Sequence, residues 1–336
     1  MANEEQAPMP QELPRSVAVV AGGITQERDV SLASGTRVTN RLVRAGFDAH
    51  LVEFGPHLLE NLNRMQPDVV FPLVHGSFGE DGTLQALLKL AGFPFVGSGP
   101  QACKLSSAKP VAKSVVAKNG LTTPPAVSLP QEVFRQLDSD QILDLLENKL
   151  GLPMMVKPAS GGSALGVTYV NDRADLARAM ISAFSYDEEV LVEQYVSGRE
   201  LAVSIIDSED GPVALPVVEI MPEDGRYDYD ARYEVGRSAF SVPAELDQKA
   251  LEAVHDLALG CHRVLELSHL SRIDVILDEQ GTPWFIDANV APGMTDTSLF
   301  PQAAEAAEGS SFQQILQDLV IRAYQQGSRE VTDVAD

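Results

Sequence analysis

The chain of 336 residues carries 25 Lys and Arg against 48 Asp and Glu, a formal net charge of -23, which disfavours nucleic acid or an anionic membrane as partner because both need a basic footprint. Any polyphosphate ligand must therefore be held by a few placed cations and a metal. The length exceeds one ordinary core and predicts two or three domains, and 44% hydrophobic residues support fully buried sheets.

Cys103 and Cys261 are the only cysteines, too few for a disulfide framework and without metal-ligand spacing, so a reducing cytosol fits best. The first 15 residues are acidic and lack an apolar run, which predicts a disordered tail rather than a signal peptide or anchor. Gly327 to Asp336 reads as a second tail.

Ser16 to Ala21 is an apolar strand ending in Gly22-Gly23, and Val30 to Gly46 has helical spacing, the opening of a βαβ unit. The intervening loop has neither a dinucleotide fingerprint nor a P-loop pattern. Glu27, at the helix start, either complements the helix dipole or holds a ligand ammonium; both readings stay open. Asp48 to Phe54 and Val69 to Val74 are further strands, the second entering HGSFGEDG at His75. That loop lies at the carboxyl end of a sheet, where open α/β sheets bind ligands, although a lone His there is more often structural.

Ala108 to Lys118 is a lysine-bearing helix. Lys157 ends the strand Pro153 to Pro158, and the Gly/Ser-rich loop Ala159 to Gly166 leads to a strand over Val167 to Val170. Such a loop can lie over a triphosphate, with the lysine as point charge, or be a plain flexible hairpin. Glu193 ends the strand Glu189 to Tyr195, as a ribose acceptor or a surface cap. Met221 to Phe240 is long for a loop and holds Tyr227, Tyr229 and Tyr233, which argues for an ordered lid. Leu246 to Leu267 is an amphipathic helix, and Ser311 to Gln325 a C-terminal helix.

Between them, Ile273 to Leu277 and Trp284 to Val290 flank Asp278-Glu279-Gln280-Gly281, a hairpin. A loop centred between Gln280 and Gly281 sets Asp274 opposite Asp287 and Arg272 opposite Asn289. All four then share one face, with Ile273, Val275, Leu277, Trp284, Ile286 and Ala288 on the other. Facing carboxylates repel unless a cation sits between them, so Asp274, Asp287 and Asn289 are candidate Mg²⁺ ligands beside a phosphate site. A solvated polar face is the alternative, but the Ala291-Pro292-Gly293-Met294 turn would bring backbone N–H groups beside the patch.

Four motifs in order, GGITQERDVSL, HGSFGEDGTLQ, VKPASGGSALGV and SRIDVILD with DANVAPGMTDTSL, resemble the D-alanine:D-alanine ligases of the ATP-grasp superfamily over about Ser16 to Arg322. The resemblance implies an α/β, three-domain ATP-grasp fold: an N-terminal domain over 16–108, a central subdomain over 109–198 and a catalytic subdomain over 199–326, between tails at 1–15 and 327–336. It implies ATP with two Mg²⁺ ions (Mn²⁺ as a substitute), D-alanine as substrate, a cytoplasmic homodimer, and D-alanyl phosphate on the way to a dipeptide for peptidoglycan. By the same resemblance, Lys109, Lys157, Glu193, Glu200 and Ile276 contact the nucleotide, and Asp274, Asp287 and Asn289 hold metal. Glu27 takes the first substrate's ammonium; Ser163 and Tyr233 orient Glu27 and receive the second amine. Arg272 and the Gly293 N–H sit at the acyl phosphate and oxyanion, Ser298 and the Leu299 N–H at the second carboxylate, and His75 on the pocket wall.

The chain departs from the family's usual pattern at Asp287 (commonly Glu), Ala164 (commonly Ser) and Arg232 (commonly Lys). An ATP-grasp ligase for another amino-acid pair, or a silent nucleotide-binding relative, is the alternative reading.

Overall fold

The structure, a computed structural model, describes residues 13–162, 165–222 and 238–333. Ser163, Ala164, Arg232 and Tyr233, with the tyrosine-rich loop around them, lie outside the described residues.

The first unit runs β1 (Ser16–Gly22), α1 (Arg28–Arg44), β2 (Asp48–Phe54), α2 (Leu58–Met65), β3 (Val69–Pro72), α3 (Thr83–Leu90) and α4 (Pro100–Ser107). Its parallel sheet has the order β2-β1-β3. Val17 to Ala21 are all buried, as a parallel strand covered on both faces requires. Helix α1 lies close against β1 because Gly35 has no side chain: a Cβ there would come within 2.5 Å of the Ala21 Cβ.

The second unit comprises α5 (Lys109–Lys118), β4 (Ala126–Pro130), α6 (Gln131–Gln136), α7 (Ser139–Leu150), β5 (Met154–Pro158), β6 (Thr168–Val170), α8 (Arg173–Phe184) and β7 (Glu189–Gln194). Its antiparallel sheet has the order β4-β7-β5-β6, and α7 and α8 cover it through Leu143, Leu146, Leu176 and Met180. Asp138 and Asp172 cap these two helices by accepting first-turn backbone N–H groups, which satisfies donors that a helix start otherwise leaves free.

The third unit holds β8 (Gly198–Ser208), β9 (Gly211–Ala214), β10 (Val218–Pro222), β11 (Ser238–Ser241), α9 (Gln248–Val264), β12 (Leu270–Asp278), β13 (Pro283–Asn289), α10 (Leu299–Glu305) and α11 (Phe312–Asp333). The sheet order is β11-β10-β8-β12-β13, with β9 paired to β8. One face packs against α9 and α5. The other shares a core with α10, α11 and the first unit. The tail expected from Gly327 is helical as far as Asp333. Phe312, Ile315, Leu316, Leu319, Val320 and Ala323 bury one stripe of that helix, and Gly327 continues it against Pro94. No helix among the described residues is long and apolar enough to cross a membrane.

Candidate active site

Between the antiparallel sheets of the second and third units lies a cavity of about 690 Å³, within the range of small-molecule sites. A smaller one of about 110 Å³ adjoins it, and Gly76, Lys109, Gly162 and Asp287 line both.

The hairpin β12–β13 forms the floor. Its register sets Arg272 opposite Asn289 and Asp274 opposite Asp287, as the loop position predicts. A bulge after Asp274 then shifts the pairing, so that Val275 faces Phe285 and Ile276 faces Trp284. A bulge inserts one residue and reverses the faces beyond it. Phe285 therefore joins the core, whereas Ile286 joins Ile276 on the wall of the larger cavity. Trp284, expected in the core, is instead half-buried and donates its Nε1–H to Asp278 Oδ2 at 2.8 Å.

Both carboxylates on the polar face already have cations. Arg272 donates through Nε and Nη2 to Asp274 at 2.7 and 2.9 Å, and Lys109, at the start of α5, pairs with Asp287. Asn289 Oδ1 accepts the Ala291 N–H at 3.0 Å. No group of three or more His, Cys, Asp or Glu gathers as a metal site among the described residues. Two carboxylates and an amide oxygen nonetheless form the hard-oxygen set that suits Mg²⁺ when phosphates complete the shell.

Opposite, Lys157 on β5 and Glu193 on β7 form a buried ion pair. Glu193 is neither a surface cap nor open to solvent. A lysine that sequence reasoning missed completes the group: Lys113 Nζ is 2.8 Å from Glu193 Oε2 and also donates to Thr123 Oγ1 at 3.0 Å. Burial alone would push the Glu193 carboxyl up, but Lys113 and Lys157 outweigh it and hold the group below the ordinary carboxylate range. Burial pushes the Lys113 ammonium down, with Glu193 opposing. The available signal was spacing: Lys113 is four residues after Lys109, on the same buried face of α5. Glu200, opposite Ile276 in register, lines the larger cavity.

Glu27 precedes α1, makes no capping hydrogen bond with its side chain, and lines the larger cavity. Its Oε2 lies 2.7 Å from where a Cβ on Gly76 would stand, and Gly76 has φ +73°, so a side chain there would both strain the turn and displace the carboxylate. His75, expected on the pocket wall, lines neither cavity. It is buried, with Nε2 3.5 Å from Ser34 Oγ and Nδ1 3.8 Å from Glu80 Oε1, and Gly76 and Ser77 form the wall instead. Gly293, Ser298 and Leu299 lie beyond the Asn289 end of the hairpin. Ser298 Oγ faces the Gly293 α-carbon and accepts the Thr295 N–H at 3.0 Å, and Leu299 is buried at the start of α10.

The family model described as D-ala D-ala ligase C-terminus matches residues 115–321, and that of the D-ala D-ala ligase N-terminus matches residues 55–98. The chain belongs to this family. It is 40% identical over 307 residues to a D-alanine--D-alanine ligase of Bordetella petrii, covering 91% of each chain. Among solved structures it is similar to D-alanyl-alanine synthetase A from Vibrio cholerae, with TM-score 0.82 and 28% identity over 94% of this chain and 100% of that one. The D-alanine--D-alanine ligase from Bacillus anthracis complexed with ATP gives TM-score 0.77 and 28% identity over 94% and 99%. Membership brings the ATP-grasp fold.

Proposed function

We propose that the chain is an ATP-dependent ligase that joins two D-alanine molecules into D-alanyl-D-alanine for peptidoglycan, as a cytoplasmic homodimer. The observation that carries this reading is the convergence of Glu27, Lys109, Lys157, Asp274 and Asp287 on one cavity, with Arg272 and Asn289 lining the smaller one beside it. Nucleotide fills the space between the sheets, against Ile276 and Ile286, with Glu200 at the ribose and Lys109 and Lys157 reaching the phosphates as point charges.

Glu27 holds the ammonium of the first D-alanine and leaves its carboxylate free to attack the γ-phosphorus. ADP departs and an acyl phosphate remains. The amine of the second D-alanine, its carboxylate held at Ser298 and the Leu299 N–H, attacks the acyl carbon, loses a proton and expels phosphate. Arg272 and the Gly293 N–H stabilise the oxyanion that develops between these events. Ser163 and Tyr233 are assigned to the proton path at that amine by the family pattern alone. Asp274, Asp287 and Asn289 would hold Mg²⁺, which when bound neutralises phosphate charge. Lys109, which pairs with Asp287, would be free to reach phosphate if that carboxylate were taken up by Mg²⁺.

The test is ADP release by the full chain with ATP, D-alanine and Mg²⁺, with the product identified by mass. Dipeptide formed in proportion to ADP, and lost on chelation, is the expected result. ADP release only with a different amino acid would redirect the reading to another carboxylate-amine ligase, and no release with any amino acid would make the protein a nucleotide binder.

A further inference from the structure

The segment between Asn289 and Leu299 has no regular structure, yet it carries Gly293 and Ser298. Three of its own bonds tie Thr295 to Ser298. Gln302 on α10 donates to the Thr297 carbonyl at 3.1 Å, and the contacts at Met294 and Thr295 come from α1. Ser34 Oγ accepts the Met294 N–H at 3.0 Å. Arg37 Nη1 donates to both the Met294 and Thr295 carbonyls at 3.0 Å, and its Nε pairs with Asp296 at 2.9 Å. The guanidinium lies 4.8 Å from the centre of the Phe312 ring, which fixes its plane while the Met294 side chain is fully buried.

We propose that Arg37 is a positioning residue for the acceptor side of the reaction, holding the Met294 and Thr295 carbonyls so that the Gly293 N–H and Ser298 stand where the second D-alanine binds. This rests on the ligase reading above. A charged donor to two backbone carbonyls is stronger and more directional than a neutral one, and a planar fork stacked on a ring has little freedom left to lose. The Asp296 contact contributes little by comparison, because that carboxylate is 91% exposed. Helix α1 thereby serves both substrates, with Glu27 before its first turn and Arg37 on its third, and a tilt of α1 moves both sites together.

The test compares full-length Arg37→Met with the unaltered chain in ADP release at varied D-alanine and varied ATP. Loss of a charged hydrogen-bond pair is expected to raise half-saturating D-alanine about tenfold or more while half-saturating ATP changes less than about twofold. Asp296→Asn is expected to stay within about twofold for both substrates, because an exposed pair contributes little. Equal shifts for ATP and D-alanine, an unchanged D-alanine dependence, or an Asp296→Asn defect as large as that of Arg37→Met would overturn the proposal. Should Arg37→Met fail to fold, Ser34→Ala decides, with an expected rise of about threefold in half-saturating D-alanine alone. Absence of any D-alanine-dependent ADP release by the unaltered chain would instead strike the ligase reading itself.

Discussion

On the four-stranded sheet, Glu193 shares one carboxylate between two buried lysines, whereas on the hairpin of the larger sheet each carboxylate has a cation of its own; residues of both sets line the larger cavity. The side chains differ accordingly in exposure: 3% for Glu193 against 18% for Asp274 and 25% for Asp287. A pair sealed from water cannot change partners without leaving an uncompensated charge, at a cost of several kcal/mol. A pair at a cavity edge can, because water or an incoming ligand replaces the lost contact. On the proposed reading, the first cluster is a fixed piece of positive field beneath the phosphates, and the second is a set of groups that exchange partners as substrate arrives.

The largest expected effect breaks the second set. Arg272→Ala removes the cation beside Asp274 and the proposed oxyanion partner. A group that acts only on developing charge lowers turnover and leaves ground-state binding alone, so kcat is expected to fall by about a thousandfold or more with nucleotide affinity within about threefold. Steady-state rates and nucleotide titration check it. Parallel losses in both would mean that the hairpin pairs are as fixed as the buried cluster, and the contrast would collapse.

Lys113→Met attacks the first set and should register as stability. It leaves Glu193 with Lys157 alone, and a buried carboxylate that loses one of two partners is expected to cost about 2 kcal/mol in urea unfolding. The pH dependence has a definite sign. A carboxyl held below its ordinary value of 4.5 stabilises the fold above that pH, and the contribution is lost as pH falls through the depressed value. With Lys113 gone the depression shrinks, so acid unfolding of the variant should begin at a higher pH than in the unaltered chain. An unchanged acid midpoint would show that Lys157 alone sets the charge state of Glu193.

Legibility in the sequence tracked the range of the interactions. Strands β1, β2 and β5 and helix α1 were readable because apolar runs and glycine loops are local signals, and Arg272, Asp274, Asp287 and Asn289 because alternation along one hairpin needs only its own register. Lys113 was not, since a lysine on a helix reads as solvated until β7 brings Glu193 against it. Arg37 and Ser34 bond to residues more than 250 positions away, and no local pattern carries that. His75 lay in the right loop, but its side chain turned toward Ser34. The bulge after Asp274 was invisible for a different reason: one inserted residue leaves composition and period almost unchanged while exchanging which of Phe285 and Ile286 is buried.

That exchange supplies the smallest and most discriminating measurement. In the unbulged register Ile286 is a core side chain, and Ile286→Ala would cost about 2–5 kcal/mol of stability. In the observed register Ile286 lines the cavity while Phe285 fills the core, so the truncated surface faces the cavity rather than protein. The substitution should then change unfolding free energy by less than about 1 kcal/mol, since a partly exposed site has little burial to lose. Nucleotide affinity should weaken by only a fewfold, the share of one apolar contact in a mostly apolar pocket. The buried lysines and the partner-exchanging pairs would be untouched, because Ile286 adjoins both groups without bonding to either charge. A large stability loss with unaltered nucleotide binding would place the side chain in the core and remove the bulge after Asp274, while leaving Asp287 opposite Asp274.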